Sequence, residues 1–174
     1  KDITTIEPEI ESSTKSFAVF ESKNDAIAAY HQIDKLKEQT IIIANGTSNI
    51  SKVIEAVKNG GYEYGDIYNQ NDTAGAKFAA TLIKDAELDH YRYIEYKEGE
   101  YKLDINDLHK EGVSIEERFK EGYGAEDADE LTKKTEAEKE SYEREDTETS
   151  EKEDVLTQED DKQEENQQDG GMEL

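Results

Sequence analysis

Glu21, Asn45 and Asp72 each follow a short apolar run and precede an apolar pattern at helical spacing. Glu21 comes after Phe17-Ala-Val-Phe20, and Asn45 comes after Thr40-Ile-Ile-Ile-Ala44. Asp72 comes after Gly65-Asp-Ile-Tyr68 and the polar Asn69-Gln70-Asn71. In a parallel α/β sheet such junctions lie at the carboxyl ends of strands, where ligands bind. Two carboxylates brought close there, Glu21 and Asp72, repel each other, and a bridging divalent cation relieves the repulsion; oxygen donors suit Mg²⁺ or Mn²⁺. The same acids equally suit the N-termini of their helices, where the dipole favours a negative charge by about 0.3–1 kcal/mol. The spacing leaves both roles open.

The elements that would position these residues can be read from periodicity. Phe17–Phe20 is an unbroken apolar run, as in a strand buried on both faces. Ser22 and Asn24 are both suitable N-caps for a helix in which Ala26, Ile27, Ala29, Tyr30 and Ile33 recur through Leu36. Ile50, Val53, Ile54 and Val57 mark a second helix, closed by Asn59-Gly60-Gly61. A third helix is predicted from about Thr73 to Asp85, followed by a fourth strand from Tyr91 to Tyr96. Strands alternating with helices of this length predict βαβ units: a Rossmann-like, mostly parallel sheet of about four strands flanked by helices. A last helix is expected after Ser114, which forms a capping box with Glu117.

Composition sets the boundaries. The 174 residues hold 45 acidic and 21 basic side chains. From Glu121 onward there are 22 acidic and 6 basic, a net of −16, which leaves 23 and 15, a net of −8, for residues 1–120. So little clustered apolar surface cannot offset ordering entropy of roughly 1–2 kcal/mol per residue, and a disordered acidic tail is expected over 123–174. Residues 1–15, with the only proline, Pro8, read as a linker or tether, which leaves 16–122 as the folded domain. The absence of cysteine excludes disulfides and thiolate chemistry and fits a reducing cytoplasm. No apolar run approaches the roughly 20 residues of a membrane span, so no membrane partner is expected. The Asn-x-Ser/Thr triplets at Asn45, Asn49 and Asn71 read as chance occurrences.

Phe17-Ala-Val-Phe-Glu21-Ser-Lys-Asn-Asp-Ala-Ile27, Asn45-Gly46-Thr47, Asn71-Asp72-Thr-Ala-Gly75 and Leu103-Asp-Ile-Asn-Asp-Leu108 occur in the order and approximate spacing of the Toprim fold. The stretch from about residue 16 to 120 resembles the Toprim-like domains of bacterial plasmid and conjugative-element primases and mobilisation proteins. The resemblance implies DNA processing, with nucleic acid and other transfer or replication proteins as partners. It also implies Mg²⁺-dependent phosphoryl or nucleotidyl transfer, with Glu21 as acid or base. In that family an Asp-x-Asp pair holds the metal; Asp72 matches its second member, whereas the first falls at Gln70. A carboxamide oxygen can ligate a metal but brings no charge, so the resemblance carries ancestry further than activity. The implied metal set is thus Glu21, Gln70 and Asp72. The alternative is a catalytically silent module that contacts DNA or another transfer protein.

Asn45, Gly46 and Lys77 are candidate phosphate or nucleic-acid contacts, the first two at a helix N-terminus. Lys23, Lys52, Lys77 and Lys84 would form a local basic rim in a chain whose net charge of −24 otherwise repels nucleic acid. Asp104 and Asp107 offer either a further ligand or caps for the helix after them. His31, His90 and His109 stand apart from one another in sequence, and Tyr91, Tyr93 and Tyr96 read as packing residues.

Overall fold

A computed structural model describes residues 1–168. Six strands form one mixed sheet: β1 (Thr4–Ile6), β2 (Ser16–Phe20), β3 (Thr40–Ile43), β4 (Tyr64–Tyr68), β5 (His90–Ile94) and β6 (Phe119–Tyr123), in the order β1-β3-β2-β4-β5-β6. The inner four are parallel, whereas β1 and β6 run antiparallel along the two edges. The helices are α1 (Lys23–Tyr30), α2 (Ile50–Gly60), α3 (Thr73–Asp85), α4 (Ile105–Lys110) and α5 (Gly124–Gln168).

Alternation along β2 explains the three layers. Phe17 and Val19 pack with Val53 and Val57 of α2, Phe78 and Leu82 of α3, and Ala128 and Leu131 of α5. Ala18 and Phe20 pack on the other face with Ala26 and Ala29 of α1 and Ile105 and Leu108 of α4. A strand covered on both sides is uniformly apolar, which is why this run is legible in the sequence.

Four strands were expected and six are present. The segment read as a linker contributes β1, whose three residues are exposed and therefore carry no apolar signal. The helix expected after Ser114 is a single 3₁₀ turn, Glu116–Arg118, that runs into β6. There the Phe119 ring packs edge-on against Tyr68 and receives the Arg92 guanidinium on its face, and Gly122 lies under the Tyr91 ring. Tertiary contacts override the local capping signal. The first helix also stops early, at Tyr30, with a separate 3₁₀ turn at Asp34–Glu38.

The expected boundary at 122 moves as well. The chain divides into two compact units, Lys1–Glu138 and Lys139 onward. The first turns of α5 belong to the first unit through buried Ala128, Leu131 and Thr135. In the second unit Glu140 to Glu153 are all exposed, with Lys139–Glu143 and Glu140–Arg144 pairs along the helix. The expectation of disorder over 123–174 thus meets a helix through Gln168, and residues 169–174 lie outside the described residues. Among the described residues, no helix is long and apolar enough to cross a membrane.

Asp66, in the middle of β4, is fully buried and receives two hydrogen bonds from Arg92 on β5, at 2.7 and 2.8 Å, and one from Gln39 at 3.0 Å. Removing Arg92 leaves this buried carboxylate with Gln39 and, at 3.8 Å, the partly exposed Lys35 ammonium. Arg92→Met is expected to lose about 3 kcal/mol in urea unfolding at neutral pH, the low end for breaking a buried pair; a variant as stable as the parent would contradict this account of the sheet.

Candidate functional site

The parallel strands β3, β2 and β4 end side by side; the connection from β2 runs to β3 on one side, whereas that from β4 runs to β5 on the other. That reversal makes the carboxyl ends of β2 and β4 a switch point, where α/β sheets open a crevice. Glu21 directly follows β2, Asn45 follows β3 and Asp72 follows β4, so the topology brings all three to one end of the sheet, as expected.

Glu21 is 5% exposed, and neither carboxylate oxygen has a hydrogen-bond partner of good geometry. Burial pushes its pKa up to about 7, and the charges of Asp72 and Asp25 add to the rise; the Gln70 backbone N–H opposes it weakly. The side chain lies beside an open cleft of about 380 Å³ that is also lined by Lys23, Asn45, Gly46, Thr47 and Gln70.

Asp72 serves as the N-cap of α3, accepting from the Gly75 N–H at 2.7 Å. Gln70 does not stand free: its Nε2 donates to Asp25 Oδ2 at 2.9 Å. Asp25 is the residue that sequence reasoning passed over. It is fully buried, and its carboxylate also accepts from Ser22 Oγ at 2.9 Å and from the Asn106 N–H at 3.2 Å. A charged residue inside the first turn of a helix reads as an ordinary dipole partner. Nothing local signals that the β4–α3 loop and α4 will close over it.

The rest of the polar loop is equally committed. Asn69 continues the β4–β5 ladder with its side chain, donating to the Ile94 carbonyl at 3.2 Å and accepting from the Ile94 N–H at 2.8 Å. The Asn71 N–H donates to the Leu103 carbonyl at 2.9 Å, and its own carbonyl accepts from the Lys102 N–H at 2.6 Å. Gly75 is required where it is, because a Cβ there would stand 2.5 Å from the Gln70 carbonyl oxygen.

Asn45 adopts a left-handed conformation (φ 56°), and its amide donates to the Asp2 carbonyl at 2.8 Å and to Thr4 Oγ1 at 3.1 Å, tying down the N-terminal strand. The Gly46 N–H donates to the Glu21 carbonyl at 3.2 Å. These two candidate phosphate contacts therefore already bind the protein's own chain. Of the four lysines, Lys52 pairs with Asp2 and Lys84 with Asp129, whereas Lys23 and Lys77 are exposed without an ion pair among the described residues. Asp104 and Asp107 form a reciprocal capping box on α4.

The remaining candidates are structural as well. Tyr91, Tyr93 and Tyr96 are buried, and the Tyr91 and Tyr96 hydroxyls donate to the Gly124 and Asn69 carbonyls. His31 stacks on His109, and His90 pairs with Glu121. Asn71 is 4% exposed, and the amides of Asn45 and Asn49 are engaged, so all three Asn-x-Ser/Thr triplets are held within the fold. As a Mg²⁺ donor set, Glu21, Gln70 and Asp72 fall short: one is driven toward its neutral form, one amide is turned to Asp25, and one carboxylate caps a helix. Among the described residues, no three His, Cys, Asp or Glu side chains are grouped to hold a metal.

No protein-family model matches the chain, and no curated protein is significantly similar to it.

The Glu21 carboxyl generates a pH dependence with a defined sign. Its pKa rises from 4.5 to about 7 on folding, so within that window the folded state keeps a proton that the unfolded chain has lost. Stability therefore falls as pH climbs through the window, and the cost, on the order of 3 kcal/mol, is complete above it. Glu21→Gln, which cannot ionise, is expected to gain on the parent by an amount of that order between about pH 5 and about pH 8. Urea unfolding at the two pH values measures it, and a mutational difference that does not change with pH would exclude this environment for Glu21.

Proposed function

We propose that this chain is a Toprim-like domain of a mobile-element DNA-processing protein, of primase or mobilisation type, whose carboxyl edge serves binding rather than metal-dependent transfer. One observation carries the choice between binding and transfer: the Gln70 amide is hydrogen-bonded to Asp25. The residue that replaces the first acid of the family's pair is built into the scaffold, and Asp72 beside it caps α3. The Gln70 amide is thereby oriented by its own nitrogen's bond to Asp25, and one Asp72 oxygen is taken by the Gly75 N–H, so the fold rather than a metal sets both groups. The partners consistent with this reading are DNA or another transfer protein.

A second reading is favoured by Glu21 alone. A buried carboxyl near neutrality at a switch point suits a general acid or base, and Mg²⁺-dependent phosphoryl or nucleotidyl transfer would use it with Asp72 and Gln70 as metal-holding residues. The two readings part on metal affinity. Under the binding reading, calorimetry shows no Mg²⁺ or Mn²⁺ binding at millimolar concentration that depends on Asp72. Gln70→Asp, which restores the missing charge, is then expected to acquire such binding. Millimolar affinity in the parent chain that disappears in Asp72→Asn would reverse the assignment.

A further inference from the structure

Between the edge strand β1 and helix α1 runs an open groove of about 450 Å³. Thr4 and Ile6 stand opposite Ile43 and Ile41 of β3, whose side chains belong to the layer under α1. The groove floor is Ile41, Ile43 and Ala26, and its walls are Ile6, 46% exposed, and Ile27, 48% exposed. A strand at a sheet edge also turns one row of backbone N–H and C=O groups away from its neighbour. The two edges of this sheet treat that row differently. β6 carries exposed Lys120 and Glu121, and its Tyr123 N–H already donates to Asp127 at 2.6 Å. β1 reads Thr-Thr-Ile, without charge or proline, and among the described residues it pairs with β3 alone. Three residues of ladder hold little by themselves, so an added strand would need the adjoining apolar groove as well.

Charges at the two ends of the groove define the occupant. Glu7 and Glu9 are exposed at the Ile6 end, where the Tyr30 hydroxyl donates to Glu9. Lys23, exposed and without an ion pair among the described residues, stands at the Thr4 end, since Phe20, Ile43 and Thr4 are in register. We propose that β1 accepts an extended segment of a partner protein as an added strand, antiparallel to it, with leucine-sized side chains at alternate positions reaching over Ile6 toward Ile27. A basic residue precedes them at Glu7 and Glu9, and an acidic residue follows them at Lys23. Antiparallel pairing is the more stable per residue, and the end charges match it. A second copy of the chain is a poorer occupant, because two chains of net charge −24 repel. The inference stands whichever reading of the carboxyl edge holds.

The full chain, isotope-labelled for NMR, would be titrated to about 2 mM, a range suited to submillimolar affinity, with the capped peptide Arg-Thr-Leu-Thr-Leu-Thr-Glu. Saturable shifts are expected at Thr4–Ile6 and along the first turns of α1. Ile27→Glu is expected to weaken them at least about tenfold, whereas Lys58→Gln, on α2 across the sheet, leaves them unchanged. Retained peak dispersion shows that each variant is folded. Alternate residues of a strand point their N–H groups to the same side. Peptides N-methylated on both leucines or on the threonines are therefore expected to differ at least about tenfold in affinity. Equal affinity of those two peptides overturns strand addition, and so does equally tight binding of the charge-exchanged peptide Glu-Thr-Leu-Thr-Leu-Thr-Arg. Shifts that fail to saturate, or that persist in Ile27→Glu, also overturn it. Movement of the same amides by octanoate or by a single-stranded oligothymidylate, with the peptide inert, overturns it too and reassigns the groove to a small apolar ligand or to nucleic acid.

Discussion

Two carboxyl groups four residues apart meet opposite fates at the carboxyl edge of this sheet, and the difference organises the site. Asp25 is fully buried and accepts from Ser22, Gln70 and the Asn106 backbone. Those donors come from α1, the β4–α3 loop and α4, so one carboxylate fastens three elements over the end of the sheet. Glu21 is nearly as buried and has no such partner. Buried ionised groups persist where hydrogen bonds replace their hydration. Glu21 has no such donors, and burial together with the nearby Asp72 and Asp25 pushes its carboxyl toward the protonated form.

The fold supports this unsatisfied group because its stability is lodged elsewhere. The Asp66–Arg92 pair crosses β4 and β5 away from the carboxyl edge, is reinforced by Gln39, and lies beside two apolar layers. Asn69 prolongs the same β4–β5 ladder with its side chain into the loop. The loop is consequently rigid in composition and in bonding: its amides act as backbone would. A polar loop at a switch point is usually taken as a ligand surface; in this chain most of its hydrogen-bonding capacity is consumed internally. The Glu21 carboxyl is the exception, buried with no hydrogen-bond partner of good geometry.

Much of this architecture is legible in the residues. Phe17–Phe20 and Thr40–Ile43 are buried on both faces, and such strands must be apolar throughout. Ser22 and Asp72 begin helices because a short side-chain oxygen satisfies free N–H groups there. Even the placement of Glu21, Asn45 and Asp72 at one end of the sheet follows from alternation of strand and helix, since parallel strands joined by right-handed crossovers end together. The edge strands were not legible. Thr4–Ile6 is exposed at every position, and in Phe119–Tyr123 only Phe119 and Gly122 turn inward, too few to make an apolar pattern.

The α/β class, the order of the inner elements and the identity of the side chains at the carboxyl edge follow from the residues alone, because each depends on periodicity and on chemistry within a few residues. Which of those side chains are engaged follows from long-range packing. Gln70 and Asp25 lie 45 residues apart in the chain, as do Lys84 and Asp129, and no local pattern announces such pairs. A carboxylate looks the same in sequence whether three donors surround it or none. The difference between Asp25 and Glu21 is set by which distant backbone and side-chain groups the packed helices bring within hydrogen-bonding distance, and that is settled by the sheet as a whole.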